Sequence, residues 1–160
     1  MTPSFLLILD ISGSMYGEMG EKIMSLNQVV DNLKDGLKII KPEPTLAVIT
    51  YGEVVNLENN FIPISQIPSK IYEARGKSQL TEAVRLASSI TTEDVITILI
   101  SDGNTLDSSY SRIPLKGHVY AIGLDADYEQ LARFTGSNNR VLPPYAANDL
   151  PGYVLQKVFG

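Results

Sequence analysis

FLLILDISGSMYG, residues 5–17, begins as one kind of segment and ends as another. Phe5 to Leu9 is apolar at every position, which is the pattern of a strand buried on both faces rather than one. Asp10 interrupts that run, and Ser12, Gly13 and Ser14 follow. In an extended segment residues two apart point the same way. Asp10, Ser12 and Ser14 can therefore aim three oxygens into one small volume, while Gly13 lets the backbone bend between them. The question is what a chain gains by placing a carboxylate and two hydroxyls where an apolar strand runs out.

Outward from this stretch, strand and helix patterns alternate to the end. Ile23, Leu26, Val30, Leu33, Leu37 and Ile40 recur at spacings of three and four, one stripe of an amphipathic helix of about five turns, which Pro42 and Pro44 end. TLAVITY (45–51) reads as a second buried strand, and Gly52-Glu53 can turn into VVNLEN, whose alternation suits an antiparallel edge. Residues 59–77 are the least regular, with one short helix expected near 69–74. Leu80, Ala83, Val84, Ala87 and Ile90 mark a helix. DVITILIS (94–101) is a largely apolar strand that stops at Asp102-Gly103, and a polar loop follows it. HVYAIGL (118–124) is the next strand. A helix around Tyr128–Phe134, a short strand RVLP (140–143) and a helix carrying Val154, Leu155 and Val158 complete the series.

Strands alternating with helices predict a doubly wound α/β domain. It has a mostly parallel sheet of about six strands with one antiparallel edge, and helices on both faces. At 160 residues one domain, 1–160, is the natural count. Such a chain can bury roughly 70% of its unfolded surface. The formal charge of −5 disfavours nucleic acid and anionic membrane as partners. With no cysteine there is no disulfide, thiolate zinc site or cysteine nucleophile. MTPS carries no basic residue, the apolar run after it is short, and no stretch approaches the roughly 20 residues of a membrane span. The expectation is a cytoplasmic protein.

In open α/β sheets, ligands bind outside the carboxyl ends of the strands, where the strand order reverses. Asp10, Ser12 and Ser14 follow the first strand and Asp102 follows the fourth. A cluster of oxygens without His or Cys suits a hard cation. Magnesium, which keeps several waters, fits better than calcium, which wants more carboxylates; manganese and calcium remain possible substitutes.

These residues carry a resemblance. D-x-S-x-S after a first apolar strand resembles the opening of the metal-ion-dependent adhesion site of von Willebrand factor type A domains. GKSQLTEAV (76–84) is similar to the family's second element: Gly76 matches its glycine, Ser78 falls on its threonine, and Leu80 and Ala83 fall on its apolar positions. LISDG, with Asp102, is similar to the third. TLAVITYG and HVYAIGLDADYEQLARFTG extend the likeness over nearly the whole chain. It implies that Ser12, Ser14 and Ser78 touch a divalent ion directly, with Asp10 and Asp102 acting directly or through water. It also implies that an Asp or Glu of a protein partner fills the open position. Serine where threonine is usual departs from the pattern, because the methyl group that restricts the rotamer is missing. Thr81 stands as the other candidate. Compact versions of such domains resemble bacterial or phage intracellular proteins, including tellurium-resistance, TerY-like ones.

Plainer readings stand beside these. D-x-S-x-S alone caps helices well. Asp125 or Asp127 suits a helix N-cap, and Glu18 and Glu21 a helix N-terminus. Arg75 and Lys77 flank the mouth and can attract an acidic partner, or are merely solvated. Tyr16 is either exposed or packed over the loop. His118 starts its strand, roughly 17–20 Å from the site end, and is structural or on the surface. The first functional reading is a metal-dependent protein-interaction module, not an enzyme. The alternatives are a metal-dependent phosphohydrolase or phosphotransferase and a metal-independent scaffold. Position 12 speaks against the enzyme, since such hydrolases carry an acid/base carboxylate there. So does the lack of a lysine with an evident partner.

Overall fold

The computed structural model describes residues 2–104 and 115–159. The apolar runs form strands β1 (Ser4–Asp10), β2 (Thr45–Tyr51), β4 (Val95–Ser101) and β5 (His118–Gly123), with an edge strand β3 (Val55–Pro63) and a two-residue β6 (Val141–Leu142). The helices are α1 (Glu21–Lys38), α2 (Leu80–Ile90), α3 (Tyr128–Thr135) and α4 (Leu150–Phe159). One six-stranded sheet runs in the order β3-β2-β1-β4-β5-β6. Only β3 is antiparallel to its neighbour. The doubly wound, Rossmann-like architecture read from the alternation of patterns is the one observed.

Burial on both faces explains the unbroken apolar runs. Phe5, Leu7 and Leu9 of β1 join a core with Leu26, Val30 and Leu33 of α1 and with Leu150 and Val154 of α4. Leu6 and Ile8, on the opposite face, pack with Leu80, Val84 and Ala87 of α2 and Leu131 of α3. The period-2 alternation of a strand distributes one run between two cores. The two faces also set the helix pattern, because each helix has to bury one stripe only.

The short helix expected near 69–74 is not there; the only helical turn in that region is a 3-10 turn at Ile64–Gln66. Tyr72, in the middle of this segment, has both its backbone groups satisfied by α1 rather than by a local helix. The Asn27 side chain on α1 donates to the Tyr72 carbonyl (2.9 Å) and accepts from the Tyr72 amide (2.8 Å). The Arg75 amide donates to the Ile11 carbonyl at 2.7 Å. The segment is thus held against α1 at Tyr72 and against the loop after β1 at Arg75. The polar loop expected after Gly103 falls mostly outside the described residues.

Chain direction puts the site at one edge. β1 has β2 on one side and β4 on the other, and all three run parallel. The strand order therefore reverses between β1 and β4, and their carboxyl ends, Asp10 and Ser101-Asp102, border the crevice that this reversal opens. His118 pairs with Ile96 at the start of β4, while Gly123 pairs with Ser101 at its end. His118 therefore lies at the far edge, where its ring meets Phe159 edge-on at 6.1 Å.

Gly36 marks the closest approach between α1 and the turn that leads into α4. A Cβ built there would lie 2.3 Å from the Asn148 carbonyl oxygen. In a helix interior, alanine normally gains about 1 kcal/mol over glycine. Here overpacking outweighs that gain. Gly36→Ala is expected to lower stability in urea unfolding by about 1–3 kcal/mol, where an ordinary helical position would show an increase.

Candidate metal centre

The loop after β1 is pinned from both ends. Met15, fully buried, inserts into the α1-side core and anchors a 3-10 turn over Gly13–Tyr16. The Ile11 amide donates to the Tyr51 carbonyl (2.9 Å) and the Gly13 amide to the Gly76 carbonyl (2.7 Å). Gly76 has φ +83°, and a Cβ on it would lie 2.3 Å from the Glu53 Cα; only glycine allows the loops after β1, after β2 and before α2 to meet there. Gln79 closes the bundle, its side-chain amide donating to the carbonyls of Gly52 (2.8 Å) and Glu53 (2.7 Å). Ser78 is thereby held two residues beyond the Gly13–Gly76 contact, part-exposed, just before α2.

Asp10 is the hub. Its Oδ1 accepts from the Ser12 amide at 3.0 Å and the Ser12 hydroxyl at 2.5 Å. Its Oδ2 accepts from the Ser101 hydroxyl at 2.6 Å. The Ser12 and Ser14 hydroxyl oxygens stand 3.3 Å apart. Asp102, equally buried, takes the Asn104 amide on Oδ1 (2.9 Å) and the Lys22 ammonium on Oδ2 (3.1 Å). The sequence pattern Asp10, Ser12, Ser14 and Asp102 is thus brought to one place, with Ser78 in the adjoining loop. Thr81 lies inside the first turn of α2, buried with that helix's apolar face, and its hydroxyl has no hydrogen-bond partner.

The donor set fits a hard divalent ion in its chemistry. Ser12 spends its proton on Asp10, which leaves its oxygen lone pairs to accept a cation. Two ligands at right angles around magnesium lie about 2.9 Å apart, and around calcium about 3.3–3.7 Å. The observed 3.3 Å separation of the serine oxygens accepts the larger ion as it stands and the smaller one after a closure of a few tenths of an ångström. Among the described residues, no group of three or more His, Cys, Asp or Glu side chains is placed to hold a metal. The candidate centre depends on hydroxyls.

Several partners were not evident in the sequence. Ser101 immediately precedes Asp102 in LISDG, and its buried hydroxyl serves Asp10, while its Oγ also accepts from the Gly103 amide at 3.0 Å. Tyr51 is buried beside Asp10; burial first, and then the Asp10 charge, push its phenol well above the usual value. The expectation that no lysine has an evident partner is corrected by Lys22, which pairs with Asp102 across 80 residues of sequence. Arg75 is not a free cation at the mouth, because it pairs with Glu53 at 2.8 Å. Asp127 caps α3, accepting from the Gln130 amide. Glu21 opens α1. Tyr16 is more than half exposed.

Sheet order, strand directions and helices on both faces together decide the fold. The chain has the von Willebrand factor type A fold. It superposes on a von Willebrand factor type A protein from Catenulispora acidiphila with TM-score 0.63 and 16% identity, over 92% of this chain and 40% of that one. It superposes on manganese-loaded TRAP protein of Plasmodium vivax with TM-score 0.72 and 16% identity, over 96% and 72%. The pilus adhesin SpaC of Lactobacillus rhamnosus GG, in an open conformation, gives TM-score 0.69 and 11% identity over 98% and 30%. The chain thus spans less than half the length of two of these three structures. No protein-family model matches the chain, and no curated protein matches it in sequence. No described helix is long and apolar enough to cross a membrane.

Burial holds the Asp10 carboxyl above its ordinary value of 3.8, against the hydrogen bonds of Ser101 and Ser12 and with a smaller push from Asp102. The sign for stability follows. The folded chain binds this proton more tightly than the unfolded one, so the contribution of Asp10 is greatest below pH 3.8 and falls as pH rises through the raised value. In EDTA at pH 7, Asp10→Asn is expected to unfold at a higher temperature than the unsubstituted protein. The gap should narrow as the pH drops toward 4; an equal or lower midpoint at pH 7 contradicts this.

Proposed function

We propose that the chain is a divalent-ion-dependent protein-binding module, in which Ser12, Ser14 and Ser78 hold Mg²⁺, or Mn²⁺ or Ca²⁺ in its place, with Asp10 and Asp102 behind them. The observation that carries this reading is the Asp10–Ser12–Ser14 chain of oxygens at the switch point of the sheet, each hydroxyl oriented by the group before it. The manganese-loaded neighbour and the pilus adhesin of the same fold support it from outside the chain. A bound ion supplies an electron-pair acceptor for a carboxylate oxygen of a protein partner. Ser12, Ser14 and Ser78 are neutral, so as ligands they leave its charge largely uncancelled and selective for an acidic side chain.

The residues do more positioning than reacting. Asp10 is 1% exposed, and both its oxygens are engaged by donors. A nucleophile in a phosphohydrolase has to reach its phosphorus, and Asp10 has no open path to one. Ser12, where such an enzyme needs an acid/base group, donates its proton to Asp10. These features support binding over turnover.

The test is calorimetric titration with Mg²⁺ and Mn²⁺ after EDTA treatment. The unsubstituted protein is expected to bind one ion, Asp10→Ala to lose at least about tenfold in affinity, and Ser12→Ala a similar amount, through lost ligation and orientation. Equal heats for all three proteins would remove the reading.

A further inference from the structure

Lys22 is placed where a divalent ion would compete with it. It is the second residue of α1, and its Nζ lies 3.1 Å from Asp102 Oδ2, with the two side chains 18% and 1% exposed. Three of the described exposed ion pairs join neighbours on one helix, one joins two loops at the rim, and Lys70 pairs with Glu58 of the edge strand β3. Lys22 instead reaches from the helix after the first site loop to the carboxylate after β4, and so joins the two sides of the crevice. The other oxygen of Asp102 is committed to the Asn104 amide. Any cation that draws on Asp102 therefore meets Lys22 first.

The surroundings give the ammonium a second seat. Beside Lys22 runs a groove of about 250 Å³ lined by Glu21, Ser25, Leu124, Asp125 and Pro144. Two of those side chains are exposed carboxylates. The lysine stem is flexible enough to turn its head from Asp102 into that groove without moving α1.

Resting on the metal-binding reading above, we infer that Lys22 is a tethered cation that sets the ion affinity of the site: its ammonium holds Asp102 Oδ2 in competition with a divalent ion and swings toward Asp125 and Glu21 when it yields. The electrostatics decide the direction. Two buried carboxylates, Asp10 and Asp102, stand at the carboxyl ends of the neighbouring strands β1 and β4, so their negative charges face the same crevice. The Lys22 ammonium relieves this repulsion and lowers the gain a divalent ion makes by entering. Removing the ammonium exposes the full negative field to the ion and takes support from the ion-free protein.

The experiment compares the unsubstituted protein with Lys22→Met, which keeps the apolar stem, and with Lys38→Met, which removes the same net charge from an exposed position on the same helix. Two readouts are taken: Mn²⁺ affinity by electron paramagnetic resonance titration, and urea unfolding in EDTA. Lys22→Met is expected to bind Mn²⁺ at least about tenfold more tightly and to unfold at lower urea in EDTA, with Lys38→Met close to the unsubstituted protein in both. Binding by Lys22→Met alone, with none by the unsubstituted protein, would also support the inference and would mean that the lysine dominates the site. If the unsubstituted protein binds Mn²⁺ and Lys22→Met binds it equally or more weakly, the role of Lys22 is overturned while the metal-binding reading stands. If no variant binds, both fall.

Discussion

Asp10 carries a carboxylate at the end of a strand buried on both faces, where water cannot solvate it. That single placement organises its neighbourhood. Three donors replace the water: the Ser12 amide, the Ser12 hydroxyl and the Ser101 hydroxyl. Even so, burial outweighs them and keeps the proton affinity of the group high. Asp10 in turn orients the Ser12 hydroxyl, whose oxygen lies 3.3 Å from that of Ser14 beside the switch point between β1 and β4.

The fold serves this arrangement by bringing loops from distant parts of the chain together at short range. β1 and β4 are neighbours, so Ser101 stands beside Asp10 and Asp102 follows at the same edge. The loop before α2 is drawn in by backbone bonds to Ile11 and Gly13 and by the clamp of Gln79 on the turn after β2. Asp102 in turn reaches the start of α3 through its carbonyl, which accepts from the Asp127 amide at 2.9 Å. Main-chain and side-chain bonds together tie these loops to one another, and a change in one of them has a direct route to its neighbours.

Much of the fold was legible because its rules are local. Short runs such as FLLIL and VITILI, apolar but for Thr97, suit strands covered twice, and the stripe from Ile23 to Leu37 suits a helix covered once. The false helix near residue 70 failed for a non-local reason, since Asn27, 45 residues away in sequence, supplies the hydrogen bonds a helix would have made. The same division holds at the site. Asp10, Ser12 and Ser14 were readable because they lie within five residues of one another, although the strand ends at Asp10 and Ser14 stands in the 3-10 turn that follows rather than in extended backbone. Ser101, Tyr51 and Lys22 were not, because their roles depend on which strand ends neighbour one another. Arg75 read as a charge that attracts an acidic partner or is merely solvated, because Glu53, its partner, lies 22 residues earlier, beyond strand β3.

The central claim is that the oxygens oriented by Asp10 form a cation site. Crystals grown with Mn²⁺ and measured on both sides of the manganese absorption edge test it most directly. The account predicts one anomalous peak bonded to the Ser12 and Ser14 oxygens and facing Ser78, with Ser12 still donating to Asp10. A map with no peak in the crevice, or with manganese bound only at surface carboxylates, would contradict it.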